Sequence, residues 1–148
     1  MRTIHVADQQ GKLPIDEARL KRAVRMVLEE ASIPEARISV AVVDDPTIRG
    51  LNRQYLSHDE ATDVLSFELE RSERLLEAEV VVSADTAQRA ASRFGWSAAD
   101  ELLLYVIHGM LHLVGYDDRT PEERAEMRVR ERACLARLGL ICEGIKVP

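Results

Sequence analysis

Cysteine is scarce in this chain of 148 residues: only Cys134 and Cys142 occur, both late. Two such thiols argue against a disulfide framework and a cysteine-based zinc site. Each is expected to be buried or idle. Aromatic residues make up 4%, so the core has to rest on Leu, Val, Ile and Ala. No apolar run reaches the ~18 residues of a membrane span. The N-terminal "MRTIHVADQQGKLP" lacks the apolar centre of a signal peptide. The expectation is a cytoplasmic protein with no membrane partner. Positive charge is short as well, with 20 Lys and Arg against 26 Asp and Glu, a formal net charge of -6. A phosphate-rich partner needs local positive charge. Basic residues do cluster in "EARLKRAVR" (17–25), with Arg49 and Arg53 further on, though a solvated helix face is the simpler explanation of such a cluster.

What remains is an ordinary globular composition, 46% hydrophobic and 31% charged, at a length that suits one domain over 1–148. "TIHV" (3–6) alternates like a short strand. From Ile15 to Ala31, Leu20, Val24, Val27, Leu28 and Ala31 recur at helical spacing. "ISVAVVD" (38–44) is rich in β-branched residues and predicts a buried strand. "DPTIRGLNRQY" (45–55) opens with Asp45 as a cap and Pro46 at the first helical position. Residues 62–70 alternate Val64 and Ser66 against Leu65 and Phe67, and pair in a hairpin with a strand at 79–85 across a charged connection at 71–77. Residues 85–95 form a helix ended by Gly95. Ser97 starts the next, 98–115, with Asp100 three residues on as an acidic capping-box partner. That helix is apolar on nearly all sides, which predicts a central, buried position. Thr120, Pro121 and Glu123 start a last helix, 120–139. The order predicts an α+β fold, a small mixed sheet of about four strands packed with about five helices.

The buried helix carries "HGMLHLVGYDD" (108–118). His108 and His112 stand one turn apart on one face, where two imidazoles can grip one cation. Gly115 can end the helix and reverse the chain, because glycine takes positive φ freely. The reversal returns Asp118, an oxygen ligand for zinc, toward the two rings. Two histidines and a carboxylate leave a position open, as catalytic sites do. The competing explanation is a pair of hydrogen-bonded core histidines. Two imidazoles in so apolar a helix need satisfaction in either case. The spacing matches metal peptidases that place Glu after the first His as the base. Here that position is Gly109, which speaks against peptide hydrolysis.

"HGMLHLVGYDD" resembles the H-G-x-L-H-L-x-G-Y-D-H signature of the YbeY family. "VVDDPTIRGLNRQYLSHDEATDVLSFELE" (42–70) is similar to that family's D-x-x-I-x-x-L-N-x-x-Y-R-x-K-D-x-P-T-D-V-L-S-F-P segment. "AEVVVS" (78–83) stands where the family has G-D-I-V-I-S, and helix 120–139 matches its acidic C-terminal helix. The resemblance implies a metal-dependent endoribonuclease specific for single strands. It implies action in 3′-end maturation of 16S ribosomal RNA and in ribosome quality control. Its partners would be single-stranded ribosomal RNA and the small ribosomal subunit, with no DNA. Against the family pattern, Asp118 replaces a third histidine ligand, Leu56 an arginine, His58 a lysine and Ala61 a proline. Ala78 and Glu79 replace Gly-Asp.

The expected site is therefore one Zn2+ held by His108, His112 and Asp118, with another divalent transition metal as an alternative. Asp117 is a candidate to orient water or a histidine nitrogen, against an ordinary role as a turn carboxylate. Arg53, His58 and Arg49 are candidate substitutes for the missing phosphate-binding residue, against ordinary surface roles. Thr62, Asp63 and Ser66 belong to the matched strand and are expected to line the cleft. Two other function classes stay open. One is a ribosome-assembly or RNA-binding factor with a mainly structural metal. The other, ranked last, is a metallopeptidase.

Overall fold

A computed structural model describes residues 1–140 of the chain, and Cys142 lies outside the described residues. The elements run β1 (Arg2–Asp8), α1 (Glu17–Glu30), β2 (Glu35–Val43), α2 (Asp45–Leu56), β3 (Val64–Arg71), β4 (Leu75–Ser83), α3 (Ala84–Phe94), α4 (Ala98–Leu113) and α5 (Pro121–Arg137). Five helices and a four-stranded sheet make the expected α+β fold. The sheet order is β1-β2-β4-β3; β1, β2 and β4 run parallel, and β3 pairs antiparallel with β4.

Side-chain alternation divides the sheet into two faces. Ile38, Val40 and Val42 of β2 and Leu76, Ala78, Val80 and Val82 of β4 join the large core that includes α1 and α4. Val43, Leu65 and Val81 point the other way, onto Ile48 and Leu51 of α2. β4 is covered on both sides, which is why Val80, Val81 and Val82 form an unbroken apolar run. The split of Val64 from Leu65 and Phe67 is the alternation read from the sequence.

Several details differ from the sequence reading, and three of them have a tertiary cause. The cap of α2 is Asp44, whose side chain accepts from Thr47 N, so Asp45 moves into the first turn. Asp45 instead accepts hydrogen bonds from Ser83 Oγ at 2.6 Å and Thr86 Oγ1 at 2.8 Å, tying α2 to the start of α3. The hairpin connection shrinks to residues 72–74. Glu77 pairs with Glu70 and Leu76 with Arg71, after a register irregularity between Glu68 and Glu70. Ser97 caps α4 as expected, but Asp100 pairs through its side chain with Arg19 of α1 at 2.9 Å. Thr120 and Glu123 form the full capping box of α5.

α4 is the central helix, and nearly every side chain from Glu101 to Leu113 is buried. Gly109 explains how closely it lies on the sheet. A Cβ there would meet Ser66 Oγ and Val80 Cγ1 at 2.9 Å and Val64 Cγ2 at 3.0 Å. The helix ends in a Schellman motif: Gly115 N donates to His112 O at 3.2 Å and Tyr116 N to Leu111 O at 3.0 Å. Gly115 has φ +109, a conformation that glycine tolerates and side chains resist. Cys134 is a buried free thiol, as the sequence reading has it.

Glu101 is a fully buried acid in the same helix. Its Oε1 accepts from Trp96 Nε1 at 3.0 Å, and its Oε2 lacks a normal hydrogen bond among the described residues. Burial pushes its carboxyl above the ordinary 4.5, and the Trp96 bond only partly opposes this. The folded chain thus holds this proton more tightly than the unfolded chain. That stability is present below the unfolded value and is lost as pH rises through the folded one. Glu101→Gln is expected to be more stable than wild type by about 1 kcal/mol at neutral pH. The gain should vanish at about pH 4. Equal denaturant midpoints for the two proteins at both pH values would contradict this.

Candidate metal centre

The helix repeat places His108 and His112 side by side on α4, with ring centroids 4.6 Å apart and planes at 80°. Their Nε2 atoms are 3.0 Å apart. The reversal at Gly115 brings Asp118 Oδ2 to 3.3 Å from His108 Nε2 and 3.4 Å from His112 Nε2. The three donors therefore form a nearly equilateral triangle. Donors bonded to one ion at about 2.0–2.1 Å and set at tetrahedral angles are separated by about 3.3–3.4 Å. Two sides match that spacing and the third, at 3.0 Å, is slightly shorter, so these three residues could hold a metal ion.

Proton placement agrees with this use. His108 Nδ1 lies 3.0 Å from Glu131 Oε2. A carboxylate there accepts a hydrogen bond from Nδ1–H and leaves the ring's lone pair on Nε2, facing the other two donors. Glu131 is itself 2% exposed, so packing holds it in place. Burial lowers the His108 pKa, but the Glu131 hydrogen bond and the charges of Glu131, Asp118 and Asp63 outweigh it and raise the value above 6.5. The site thus attracts positive charge, whether a proton or a metal ion.

Glu131 was not found from the sequence. Its signal was present, because it sits in the stripe Met127, Glu131, Cys134, Leu135 that faces inward from α5. A glutamate inside an apolar stripe marks a buried acid with a partner. Asp117, the residue the sequence nominated for such a role, lies 3.9 Å from His112 Nδ1, beyond hydrogen-bond reach.

His108 and Asp118 border a cleft of about 240 Å³ between α4, α5 and the start of β3, whose walls include Asp63, Tyr105 and Glu131. The Tyr105 hydroxyl is pushed well above its ordinary 10, first by burial and then by the Glu101 and Asp63 charges, so it stays a neutral donor. Of the three strand residues expected at the cleft, Asp63 lines it. Thr62 donates to Asp63 Oδ1 at 3.3 Å. Ser66 donates to Gly109 O at 3.0 Å and borders a separate depression beside His112. Arg49 and Arg53 lie on α2 beside another depression, with Asp59 at 2.9 and 3.8 Å respectively. His58 follows that helix, its backbone N–H bonded to Asn52 O. The structure thus joins His108, His112 and Asp118, and leaves Arg53, His58 and Ser66 outside the cleft beside them.

A four-stranded mixed sheet carrying an inward HxxxH helix, with Asp118 returned by a glycine turn, defines an α+β protein in which three side chains could hold a metal ion. Residues 5–139 match the sequence profile of the family described as Endoribonuclease YbeY. The chain is 42% identical over 146 residues to an endoribonuclease YbeY of Pelotomaculum thermopropionicum, covering 91% of this chain and 96% of that one. It is 40% identical to the corresponding protein of Desulforamulus reducens over the same shares. A Thermotoga maritima protein solved in solution is 27% identical, with a TM-score of 0.56 over 93% of this chain and 91% of that one. The chain belongs to the YbeY endoribonuclease family. No helix among the described residues is long and apolar enough to cross a membrane.

Proposed function

We propose that this chain is a zinc-dependent endoribonuclease that hydrolyses phosphodiester bonds in single-stranded RNA. Its substrate would be 16S ribosomal RNA on or near the small subunit, in 3′-end maturation and ribosome quality control. The observation that carries this reading is the donor triangle of His108, His112 and Asp118 at the edge of an open cleft, in a chain with endoribonuclease relatives. A divalent ion held there supplies Lewis acidity toward a water molecule and a phosphoryl oxygen. Glu131 keeps the His108 lone pair aimed at the ion. Asp117, 3.9 Å from His112 Nδ1, would act on that ring's other nitrogen through a bridging water. Tyr105 offers a neutral hydroxyl to a phosphate oxygen in the cleft. Arg53, His58 and Ser66 would meet the RNA outside the cleft.

Asp118 adds a negative charge where the resembled family has a neutral imidazole. That charge weakens the pull of the ion on water, so Asp118→His is expected to cleave faster than wild type. Leu56, in place of an arginine, and the net charge of -6 favour a second reading: an assembly factor whose metal is structural. A purified-protein assay on single-stranded and duplex RNA separates the two. Wild type and Asp118→His are expected to cut single strands and spare duplex. If wild type, Leu56→Arg and Asp118→His all fail to cut while all three sediment with small ribosomal subunits, the assembly reading replaces the nuclease.

A further inference from the structure

α5 forms one wall of the cleft, and two of its arginines, Arg124 and Arg128, line that cleft with His108 and Asp118. They are one turn apart and share a helix face. Among the described residues, neither is paired with a carboxylate. Arg124 Nη1 donates to the carbonyl oxygens of Asp118 at 3.3 Å and Arg119 at 3.1 Å, which fixes the guanidinium beside the ligand loop and leaves its charge free. Arg128 is exposed and has no hydrogen-bond or ion-pair partner among the described residues. The other arginines near the site are engaged. Arg49 and Arg53 flank Asp59. Arg71 is bound to Glu68 and to the Leu113 carbonyl. Arg119 faces Asp117 at 3.9 Å.

Charge decides what the pair is for. The carboxylates of Asp63, Asp118 and Glu131 against the two guanidiniums leave the cleft one charge negative. A divalent ion turns it one charge positive. Without the arginines, even the metal-loaded cleft stays negative, and a phosphodiester anion is repelled from its own site. Leu56 cannot supply the missing charge, and it lies on α2, outside the cleft wall.

We propose that Arg128, with Arg124 one turn before it, binds the RNA phosphate backbone next to the bond to be cut. On this view α5 carries the cationic role that Leu56 lacks. A planar guanidinium holds phosphate oxygens through two parallel N–H bonds, which fixes the strand as well as attracting it. This proposal rests on the reading of the site as an endoribonuclease.

Steady-state cleavage of a labelled single-stranded RNA, measured over a range of salt, tests it. Arg128→Gln is expected to raise KM about tenfold, with kcat little changed and metal content equal to wild type. The slope of log(kcat/KM) against log[salt] should flatten by about 0.7, the share of one phosphate contact on a single strand. Arg128→Lys should restore most of the slope. Arg25→Gln, which removes the same charge from the exposed face of α1, should match wild type. Wild-type KM and slope in Arg128→Gln, or loss of its metal, overturns the proposal while the nuclease reading stands. A wild-type protein that neither binds nor cuts RNA overturns both.

Discussion

Replacing His108 with alanine is expected to remove bound metal and RNA cleavage together, each by more than about a hundredfold. The variant deletes one corner of a triangle whose sides are 3.0, 3.3 and 3.4 Å long. Two donors cannot hold an ion at the affinity of three. The variant also strands Glu131, a carboxylate 2% exposed whose hydrogen-bond partner among the described residues is His108 Nδ1. An uncompensated buried charge costs about 3–5 kcal/mol. His108→Ala is therefore expected to melt at lower temperature as well. His112→Ala separates the two effects. Among the described residues its ring has no buried carboxylate partner, so it should lose metal and cleavage while keeping more of the wild-type stability. Metal content by mass spectrometry, thermal melting and RNA cleavage on the same preparations give the answer. Cleavage at wild-type rate in a metal-free His112→Ala protein would break the link between the triangle and the reaction.

Gly109→Glu is expected to unfold the protein, not to turn it into a peptidase. The substitution completes the HExxH spacing that metal peptidases use. Yet the Cβ at 109 points at the sheet, where Ser66 Oγ and Val80 Cγ1 would lie 2.9 Å away. Val80 is fully buried and cannot withdraw. Alanine alone should cost about 1–3 kcal/mol through overpacking, less the helix preference of about 1 kcal/mol that alanine brings over glycine. Glutamate adds the burial of a charge among valines, which costs several kcal/mol more. A domain with about 5–15 kcal/mol of stability does not tolerate that comfortably. Circular dichroism and urea melts of Gly109→Ala and Gly109→Glu check the order. A folded Gly109→Glu protein with wild-type stability would show that helix α4 can lift from the sheet.

The meeting of His108, His112 and Asp118 was legible because its geometry is local. Spacing of four on a helix, then a glycine that reverses the chain, fixes three donors within eleven residues. The strands were legible from β-branched runs and the alternation of Val64, Leu65, Ser66 and Phe67. The start of β4 was not, because Leu75 to Glu77 lie among charged residues and pair only once Glu70 and Arg71 stand opposite them. Capping residues were placed within one position, since Asp44 and Asp45 are equally good caps in isolation. The choice between them is made by Ser83 and Thr86, almost forty residues away. Asp100 was taken by Arg19 of α1, a partner no local rule points to.

The rest of the site depends on packing in the same way. Glu131 meets His108 only because α5 crosses beside α4. Arg124 and Arg128 read in sequence as members of a helix rich in both charges, and become cleft residues only through that crossing. Gly109 read as a missing catalytic base. The structure gives it a packing role, because the sheet occupies the space an acid would need.

The most direct test of the account strips the wild-type protein with a chelator, then returns zinc in measured steps while single-stranded RNA cleavage is followed. Cleavage should vanish on removal, recover linearly with added zinc and saturate at about one ion per chain, the number one three-donor site can hold. Cleavage that persists undiminished in protein shown to be metal-free would contradict the account.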